Sequence, residues 1–414
     1  MSHSNDLPLN LRIGIEQELF FFDEMSPGSA FFLPNGTKIY NRLISFIRNE
    51  YYIRGFDEVI TPMIAKKELW EVSGHLEKYK KNMFKLENKK KVDQQDDQQD
   101  NNVYYLKPMQ CPLHCIIFRQ KSRSYKDLPI RLADFGCLHR NEMKGSLTSL
   151  FRNRKFEQDD AHIFCTKDQL DGELINCLNF ITDVYDKFGF RFEVGLSTRP
   201  EEFVGEIELW NFAEDKLRQI LDNSQFNWHE EPFNGAFYGP KIDIQLTDSL
   251  GRNHQCATIQ LDFQLPSEQR FNLSYIDCFG EKQVPVMIHR AIYGSFERFI
   301  ALLCEHYGGK WPLWLNPKQI ILIPTDKKVI DYVNNVYDTL KAKHYYVDVD
   351  LTDHTFKKKI ANAQLKQYNY IVVIGEIEKT HNNLNIRHRD TGARTIMTLD
   401  DFVLNVTDNL QKFN

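Results

Sequence analysis

The 414-residue sequence predicts an α+β protein, in which a largely antiparallel sheet flanked by helices precedes a small α/β domain. The first observation is the stretch 235–291, where strand patterns return through glycine-containing turns, as antiparallel strands do. The second is a pair of continuous apolar runs at 320–323 and 371–374. These runs alternate with helical patterns and therefore indicate a buried sheet.

Composition narrows the class of protein. A hydrophobic content of 42% and a charged content of 26% are ordinary for a globular chain, so neither disorder nor a membrane protein is indicated. A net charge of −5 argues against binding nucleic acid through overall charge, although it is compatible with a local basic patch. The eight cysteines show no disulfide spacing and indicate reduced thiols. The N-terminus has no secretory pattern and no apolar run has membrane length, so we expect a cytoplasmic protein, with a mitochondrial one left open.

The first 120 residues alternate helix and strand patterns. Apolar residues at helical spacing predict an amphipathic helix over 37–53, and residues 58–62 predict a strand that ends in proline. Residues 88–102 are polar and low in complexity, so we expect an insertion there that does not pack into a core. Residues 104–118 predict a strand, a turn at Cys111 and a helix.

The stretch 138–164 predicts a strand, a long basic loop and a second strand. Residues two apart on a strand share a face, so this stretch is expected to present polar groups on one sheet face. The residues concerned are Arg140, Glu142, Gln158, Asp160 and His162. A solvated surface hairpin is the ordinary alternative. The apolar residues on both sides of the stretch favour a functional site instead.

The remaining elements follow in order. The patterns predict helices over 170–188 and about 208–222, strands over 190–194, 242–246, 255–263 and 284–289, and a helix that carries Arg298. The glycine, proline and tryptophan residues of 308–317 interrupt these patterns. We therefore expect a first domain over 1–310 and a second over 311–414.

Several segments together resemble a known family. SPGSAFFLP, QDDAHIFC, STRPE, GAFYGPK and MIHRAI occur in this order, and from about residue 10 onward the chain resembles the threonyl-tRNA synthetases, which are class II aminoacyl-tRNA synthetases. Residues 37–62, 138–164 and 284–304 resemble motifs 1, 2 and 3 of that class. The resemblance implies an aminoacylation domain with an antiparallel sheet, an anticodon-binding domain and a homodimer formed through 37–62. It also implies a form without the N-terminal editing domain.

The resemblance also implies a metal site. Cys111, His162 and His289 match the family's zinc ligands, with one zinc expected per subunit. Each of them alone is more often an ordinary core residue, and their spacing does not unite them. Three protein ligands would leave an open position for the threonine amino group and hydroxyl. Asp160 would accept a hydrogen bond from that hydroxyl.

The other implied roles follow the same motifs. Arg140, Glu142 and Arg298 are expected to be catalytic. ATP, with Mg²⁺, is expected to contact Arg140, Glu142, Arg152, Phe156, Gln255 and Arg298. Threonine is expected to contact Met109, Arg140, Gln158, Asp160, Tyr238 and Gln260. Glu378 and Arg387 are expected to read the anticodon.

The implied function is threonine–tRNA ligase activity. L-threonine would react with ATP to form threonyl-adenylate and would then be transferred to the 3′ end of tRNA(Thr), without editing by the same chain. The alternative is a catalytically silent paralogue that binds tRNA or regulates translation; a prolyl enzyme fits the zinc positions less well. The chain departs from the family pattern at Gln110, Leu113 and Asn153, and Leu113 could crowd the turn at Cys111.

Overall fold

The computed structural model describes residues 7–87, 103–248 and 250–411. The predicted insertion at 88–102 lies outside the described residues. The helices are Leu9–Glu16 (α1), Pro34–Ile53 (α2), Lys67–Val72 (α3), His75–Tyr79 (α4), Cys111–Arg119 (α5), Leu170–Phe188 (α6), Ile207–Asp222 (α7), Phe296–Tyr307 (α8), Ile330–Ala342 (α9), Phe356–Leu365 (α10), Glu376–Thr380 (α11) and Leu399–Gln411 (α12).

The strands are mostly short. They are Phe20–Phe22 (β1), Ala30–Phe32 (β2), Asp57–Glu58 (β3), Ile64–Lys66 (β4), Lys85–Glu87 (β5), Val103–Leu106 (β6), Ile130–Asp134 (β7), Cys137–His139 (β8), Lys155–Glu157 (β9), Asp160–Cys165 (β10), Glu193–Ser197 (β11), Trp228–Glu231 (β12), Lys241–Thr247 (β13), Asn253–Asp262 (β14), Tyr275–Ile276 (β15), Lys282–Gln283 (β16), Val286–Ala291 (β17), Ile320–Pro324 (β18), Val347–Val349 (β19), Tyr370–Ile374 (β20), Asn383–His388 (β21) and Arg394–Thr398 (β22).

The chain forms two compact units. One contains the described parts of Met1–Phe21, Phe31–Phe46 and Leu303–Asn414, and the other contains those of Phe22–Ala30 and Ile47–Leu302. The second unit is built on an eight-stranded sheet of order β12-β11-β13-β14-β17-β10-β7-β3. The pairs β11–β12 and β3–β7 are parallel, and the other pairs are antiparallel. The predicted α+β class, with its largely antiparallel sheet, is confirmed.

Helix α6 shows how the sequence produces the layer against this sheet. Its buried side chains, which include Leu174, Ile181 and Tyr185, recur every three or four residues and form one apolar face. Gly189, with a φ of 72°, supplies the left-handed residue that ends the helix. The predicted bounds of 170–188 are therefore correct.

The C-terminal sheet has the order β19-β18-β20-β21-β22. Strand β18 runs parallel to β19 and β20, whereas β20–β21 and β21–β22 are antiparallel. Both apolar runs predicted from the sequence are strands of this sheet, and β18 is buried along its whole length. The core beneath them includes Leu322, Val336, Val372, Leu384 and Phe402.

Several predictions about strands were wrong in detail, and the strand expected over 284–289 is Val286–Ala291. The strand expected over 58–62 is limited to Asp57–Glu58, because its parallel pairing with β7 stops after two residues. The strand expected over 190–194 is Glu193–Ser197. Arg140 and Glu142 do not alternate on a strand: β8 ends at His139, and the Glu142 N–H donates to the Arg140 carbonyl at 2.8 Å, which is a tight turn.

The stretch 138–164 consequently contributes to two sheets. Strands β8 and β9 form a separate antiparallel pair, and β10 belongs to the eight-stranded sheet. The expected single polar face is therefore replaced by a sheet face with a hairpin beside it. Within the described residues, no helix combines the length and the apolar character that crossing a membrane requires.

Candidate active site

A cavity of about 450 Å³ lies in the unit that contains the eight-stranded sheet. The residues predicted to bind metal, ATP and threonine all line it, although they come from distant parts of the sequence. They are Met109, Cys111, Arg140, Glu142, Arg152, Phe156, Gln158, Asp160, His162, Tyr238, Gln255, Gln260, His289 and Arg298. The structure therefore brings these side chains to one place; Cys111, His162 and His289 are called the metal end below, and the arginines are called the phosphate end.

Strand register aligns part of this set. His162 on β10 is directly opposite His289 on β17, which is opposite Gln260 on β14, which is opposite Lys241 on β13. Residues directly opposite each other on neighbouring strands project from the same face. A row of two imidazoles, an amide and an ammonium group therefore crosses four strands.

The donor atoms of Cys111, His162 and His289 lie within 4.8 Å of one another, and all three residues are buried. Nε2 of His162 and Nδ1 of His289 are 3.1 Å apart. Two nitrogen ligands of a tetrahedral zinc ion lie about 3.3 Å apart, given zinc–nitrogen bonds of about 2.05 Å. The donor set and its spacing therefore fit a zinc ion with three protein ligands.

Neighbouring groups orient both imidazoles. His289 Nε2 lies 2.8 Å from Oδ2 of the buried Asp262, so this nitrogen carries the proton and Nδ1 is left as a ligand atom. His162 Nδ1 lies 2.7 Å from His114 Nδ1, which leaves Nε2 of His162 facing the cluster. His114 Nε2 in turn lies 3.9 Å from Oδ2 of Asp134. The Asp262 contact matches the second shell of a metal site, whereas His114 Nε2 has no hydrogen-bond partner among the described residues.

The protonation behaviour of the cluster agrees with a metal site. Burial raises the pKa of the Cys111 thiol well above its usual value, with the Asp160 carboxyl adding to the effect. Burial lowers the pKa of His162 well below its usual value. Burial therefore favours the neutral forms of Cys111 and His162, and a bound cation would supply the charge that stabilises a thiolate.

Side chains next to the cluster form the wall of a small polar pocket. Asp160 Oδ1 lies 3.9 Å from His162 Nε2, and burial, together with the charges of Asp134 and Asp159, raises the pKa of Asp160 to about 8. The Tyr238 hydroxyl donates to Gln260 Oε1 at 3.1 Å.

The other end of the cavity is cationic. The Arg140 guanidinium lies 5.0 Å from the centre of the Phe156 ring and 6.0 Å from that of Tyr79. Arg152 contacts the Glu142 carboxylate through Nε at 2.9 Å and Nη2 at 2.8 Å. An anion that binds Arg152 would therefore have to displace the Glu142 carboxylate.

Arg298 is fixed through backbone carbonyls. Its Nε donates to Phe151 at 3.1 Å and its Nη1 donates to Gln255 at 2.5 Å. Gly294 precedes its helix with a φ of +74°, and a Cβ there would lie 2.6 Å from the Cys256 carbonyl oxygen. Only glycine meets both conditions without strain.

Comparison with known proteins identifies the family. The tRNA synthetase class II core domain (G, H, P, S and T) matches residues 84–307, and the anticodon binding domain matches residues 319–409. A solved structure, the RNA binding domain of threonyl-tRNA synthetase from Cryptosporidium parvum Iowa II, is 46% identical with a TM-score of 0.90, and the match covers 97% of this chain and 98% of that chain. This chain belongs to the class II aminoacyl-tRNA synthetases, in the threonyl-tRNA synthetase family.

Two curated relatives, both named threonine–tRNA ligases, support the same family. The cytoplasmic threonine–tRNA ligase 1 of Bos taurus is 53% identical over 390 residues, which are 93% of this chain and 52% of the relative. The cytoplasmic threonine–tRNA ligase of Saccharomyces cerevisiae is 50% identical over 380 residues, which are 92% of this chain and 50% of the relative. The chain thus spans about half the length of the curated relatives it matches.

The departures from the family pattern leave the cluster intact. Gln110 is buried directly before α5 and donates from Nε2 to the Gly136 carbonyl at 3.2 Å. Leu113 is buried within α5. Cys111 and Cys115 lie one turn apart on the same helix. Asn153 lines the cavity and donates to the Ser149 carbonyl at 2.9 Å. The donor atoms of Cys111, His162 and His289 nevertheless lie within 4.8 Å of one another, so Leu113 does not separate them.

Lys241 and Asp243 lie in or beside the cavity without having been predicted there. The Lys241 ammonium group lies 2.5 Å from the Asp243 carboxylate, which also accepts from the side chains of Gln255 and Thr258. The available signal was the alternation of Lys241, Asp243 and Gln245 on a strand, which places three polar side chains on one face.

The two residues predicted to read the anticodon lie at different ends of β20. Arg387 is opposite Ile371 near the start of β20, whereas Glu378 follows the end of that strand in α11. When the Gln364 amide is oriented with its oxygen toward Arg387, that oxygen accepts from Nη1 and Nη2 of Arg387 at 3.0 and 2.9 Å. Glu378 Oε2 accepts from the Gly375 N–H at 2.9 Å. About 10 Å of strand lies between the two positions.

Proposed function

We propose that this chain is a threonine–tRNA ligase, which activates L-threonine with ATP and transfers it to the 3′ end of tRNA(Thr). The observation that carries the proposal is the presence, in one cavity, of a Cys-His-His donor set and four charged residues suited to ATP. These charged residues are Arg140, Glu142, Arg152 and Arg298. A silent paralogue would have no need of both groups.

Amino-acid selection is assigned to the metal end. Cys111, His162 and His289 would hold zinc, which when bound would offer an open coordination position to the amino group and hydroxyl of threonine. Asp160 presents an oxygen that accepts a hydrogen bond from that hydroxyl in either protonation state. Valine lacks the hydroxyl, so it leaves these groups unpaired and should be rejected by about 10⁴- to 10⁵-fold.

Serine keeps the hydroxyl and lacks only the methyl group. A missing methyl group in a pocket changes selectivity by only about 10- to 200-fold. We therefore expect this site to activate serine at a measurable rate, whereas valine activation should be close to background.

Adenylate formation is assigned to the cationic end. The threonine carboxylate attacks the α-phosphorus of ATP and pyrophosphate leaves, so negative charge gathers on the phosphate oxygens in the transition state. Arg140 and Arg298 would stabilise that charge, and Mg²⁺ would accompany the ATP phosphates. The rings of Tyr79 and Phe156 hold Arg140 in place before ATP binds. The backbone carbonyls of Phe151 and Gln255 do the same for Arg298.

The remaining assignments are part of the proposal. Glu142, Arg152, Phe156 and Gln255 would contact ATP, while Met109, Gln158, Tyr238 and Gln260 would contact threonine. Residues 1–310 would form the aminoacylation domain and residues 311–414 the anticodon-binding domain, with contacts to tRNA(Thr) at Glu378 and Arg387. The matches at 84–307 and 319–409 support this division.

A homodimer through 37–62 and a cytoplasmic location complete the proposal. Tyr52, Ile53 and Ile60 within that segment are 78%, 61% and 91% exposed, and the proposed interface would cover these apolar side chains. The names of the relatives from Bos taurus and Saccharomyces cerevisiae include the word cytoplasmic.

ATP–pyrophosphate exchange with threonine, serine and valine tests the proposal. We expect threonine-dependent exchange, weaker exchange with serine and near-background exchange with valine. Valine turnover comparable to that of threonine would exclude the zinc-based selection. Absence of exchange with every amino acid, from a folded chain that contains zinc, would favour the silent paralogue instead.

A further inference from the structure

The guanidinium group of Arg298 is held by carbonyls from two different parts of the chain. The Gln255 carbonyl, which accepts from Nη1 at 2.5 Å, lies on β14 where that strand pairs with β13. The Phe151 carbonyl, which accepts from Nε at 3.1 Å, lies in the loop between β8 and β9. The direction in which Arg298 presents its remaining N–H groups therefore depends on how this loop is placed against β14.

A ring stack connects the loop to β14. The centres of the Phe151 and His254 rings are 4.0 Å apart and their planes differ by 13°. Phe151 is buried, and His254 directly precedes Gln255 on β14. The stack thus joins the residue that carries one of the two carbonyls to the neighbour of the residue that carries the other.

Asp248 fixes the orientation of the His254 ring. Its side chain is fully buried, and its Oδ2 lies 2.7 Å from His254 Nε2, so this nitrogen carries a proton. The other oxygen, Oδ1, accepts from the backbone N–H groups of Leu250 and Arg252 at 2.9 and 2.8 Å. Because the carboxylate is held by the backbone, it can hold the imidazole in one orientation.

The position of His254 distinguishes it from the residues that contact substrate. Within the described part of the chain, Phe151, Gln255 and Arg298 line the first cavity, whereas His254 does not. Its ring lies behind Phe151, so it has no direct route to ATP or threonine. Any influence on the reaction must therefore pass through Phe151 to Arg298.

We propose that His254, oriented by Asp248, is a positioning residue for adenylate formation. By stacking on Phe151 it holds the carbonyl that aims Arg298 at the ATP phosphates. The inference rests on the proposed function, because it uses the role that Arg298 has there. Since Arg298 acts on charge that develops in the transition state, His254 should affect kcat and leave threonine binding unchanged.

Two substitutions of His254 separate stacking from the contact with Asp248. His254→Ala removes the ring and should lower kcat of threonine-dependent pyrophosphate exchange by about tenfold, because the phosphate-binding arginine is misplaced. The KM for threonine and the zinc content should stay the same. His254→Phe keeps a stacked ring and should stay within about threefold of wild type. His229→Ala, at an exposed histidine that does not line the cavity, is the control and should be unchanged.

A double-mutant cycle tests whether His254 acts through Arg298. In the Arg298→Lys background, His254→Ala should lower kcat by about twofold or less, because the group it positions is already lost. In the Tyr238→Phe background, which alters the threonine pocket, it should still lower kcat by about tenfold. The difference between the two backgrounds is specific to positioning, since a general loss of stability would affect both alike.

Crystal structures of wild type and His254→Ala measure the positioning without any activity. In the variant, Arg298 Nε should lie beyond hydrogen-bond distance from the Phe151 carbonyl oxygen, while Nη1 keeps its bond to Gln255. An unchanged Arg298 position would overturn the proposal. Absence of exchange by wild type would reject the proposed function instead, and the crystal structures would still decide the role of His254.

Three kinetic results would also overturn the proposal. These are a wild-type kcat for His254→Ala, equal losses in His254→Ala and His254→Phe, and a full tenfold loss in the Arg298→Lys background. A raised KM for threonine with an unchanged kcat would likewise contradict it, because the effect would then lie at the metal end.

Discussion

The metal end and the phosphate end of the first cavity are held in place by different means. Cys111, His162 and His289 are 2%, 1% and 5% exposed, and the two histidines are fixed by the register of neighbouring strands. Arg152, at the phosphate end, has a side chain that is 54% exposed and lies in a loop, where it pairs with Glu142. The metal end is therefore preformed, whereas Arg152 would have to exchange its Glu142 partner in order to contact the proposed ATP.

This difference has a functional consequence. A buried donor set with oriented imidazoles tolerates few substitutions, because losing one ligand would weaken the binding of the proposed zinc ion that all three ligands share. An exposed ion pair contributes little by itself, and its loss is partly offset by solvent. Substitutions at the metal end should therefore abolish function, and those at the phosphate end should reduce it by graded amounts.

The largest expected effect is at Cys111. Cys111→Ser should lower zinc content to near zero and reduce threonine-dependent pyrophosphate exchange by about 10³-fold or more, because the thiolate ligand is lost. Cys115→Ser, one helical turn later and also buried, is the matched control and should retain zinc. Equal zinc content in the two variants would remove Cys111 from the site.

Arg298→Lys should have the next largest effect. Lysine keeps the charge but cannot reach two carbonyls and a phosphate with a planar fork, so kcat should fall by about 10²- to 10³-fold. Zinc content should stay the same, since Arg298 contacts Phe151 and Gln255 and not the cluster. Arg252→Lys is the control, because Arg252 pairs with Asp248 and does not line the cavity. Loss of zinc from Arg298→Lys would show that the two ends are not separate.

His114→Asn tests the outer contacts of the metal end. Without the 2.7 Å contact from His114 Nδ1, the His162 ring loses its fixed orientation, and zinc affinity should fall by about 10- to 100-fold. Competition with a chelator measures that affinity. His254→Asn, which removes a ring stacked 4.0 Å from Phe151 at the phosphate end, should leave it unchanged. Equal affinities in the two variants would mean that His114 does not orient His162.

The smallest effect concerns stability at the phosphate end. Glu297, the residue before Arg298, accepts from the Glu157 N–H at 3.0 Å, and burial raises its pKa from 4.5 to about 7. Between these values the folded chain holds a proton that the unfolded chain has lost, so the free energy of unfolding falls as pH rises. Glu297→Gln cannot titrate and should lack this part of the slope, about 1 to 3 kcal/mol between pH 4.5 and 7.

Urea unfolding at pH 5 and pH 7 measures the Glu297 effect. Glu208→Gln is the matched control, since Glu208 is also the second residue of its helix but is exposed. Wild type and Glu208→Gln should share one pH dependence, and Glu297→Gln should differ from both. A Glu297→Gln slope identical to that of wild type would contradict the burial argument.

The sequence predicted the elements better than it predicted their pairing. The helical periodicity of residues 170–188 and the apolar runs of the C-terminal sheet are local properties, so they could be identified without a structure. The opposition of His162 and His289 depends on the register between β10 and β17, and the two histidines are 127 residues apart in the sequence. Only the family resemblance connected these two residues in advance.

Other features were hidden for a different reason. The turn at Glu142 depends on one backbone hydrogen bond, and the alternating pattern around it favoured a strand. Among the described residues, Nε and Nη2 of the buried Arg290 have no partner because nearby carboxylates such as Glu173 and Glu50 pair with other arginines, which no local pattern reveals. Both features arise from competition among partners in three dimensions.

The most direct test of the difference between the two ends is the absorption spectrum of the cobalt(II)-substituted protein. A sulfur-to-cobalt charge-transfer band should be present and should be absent from Cys111→Ser. Addition of threonine should shift the visible cobalt bands, while ATP alone or valine should leave them unchanged. A shift with ATP alone, or no shift with threonine, would contradict the assignment of amino-acid selection to the metal end.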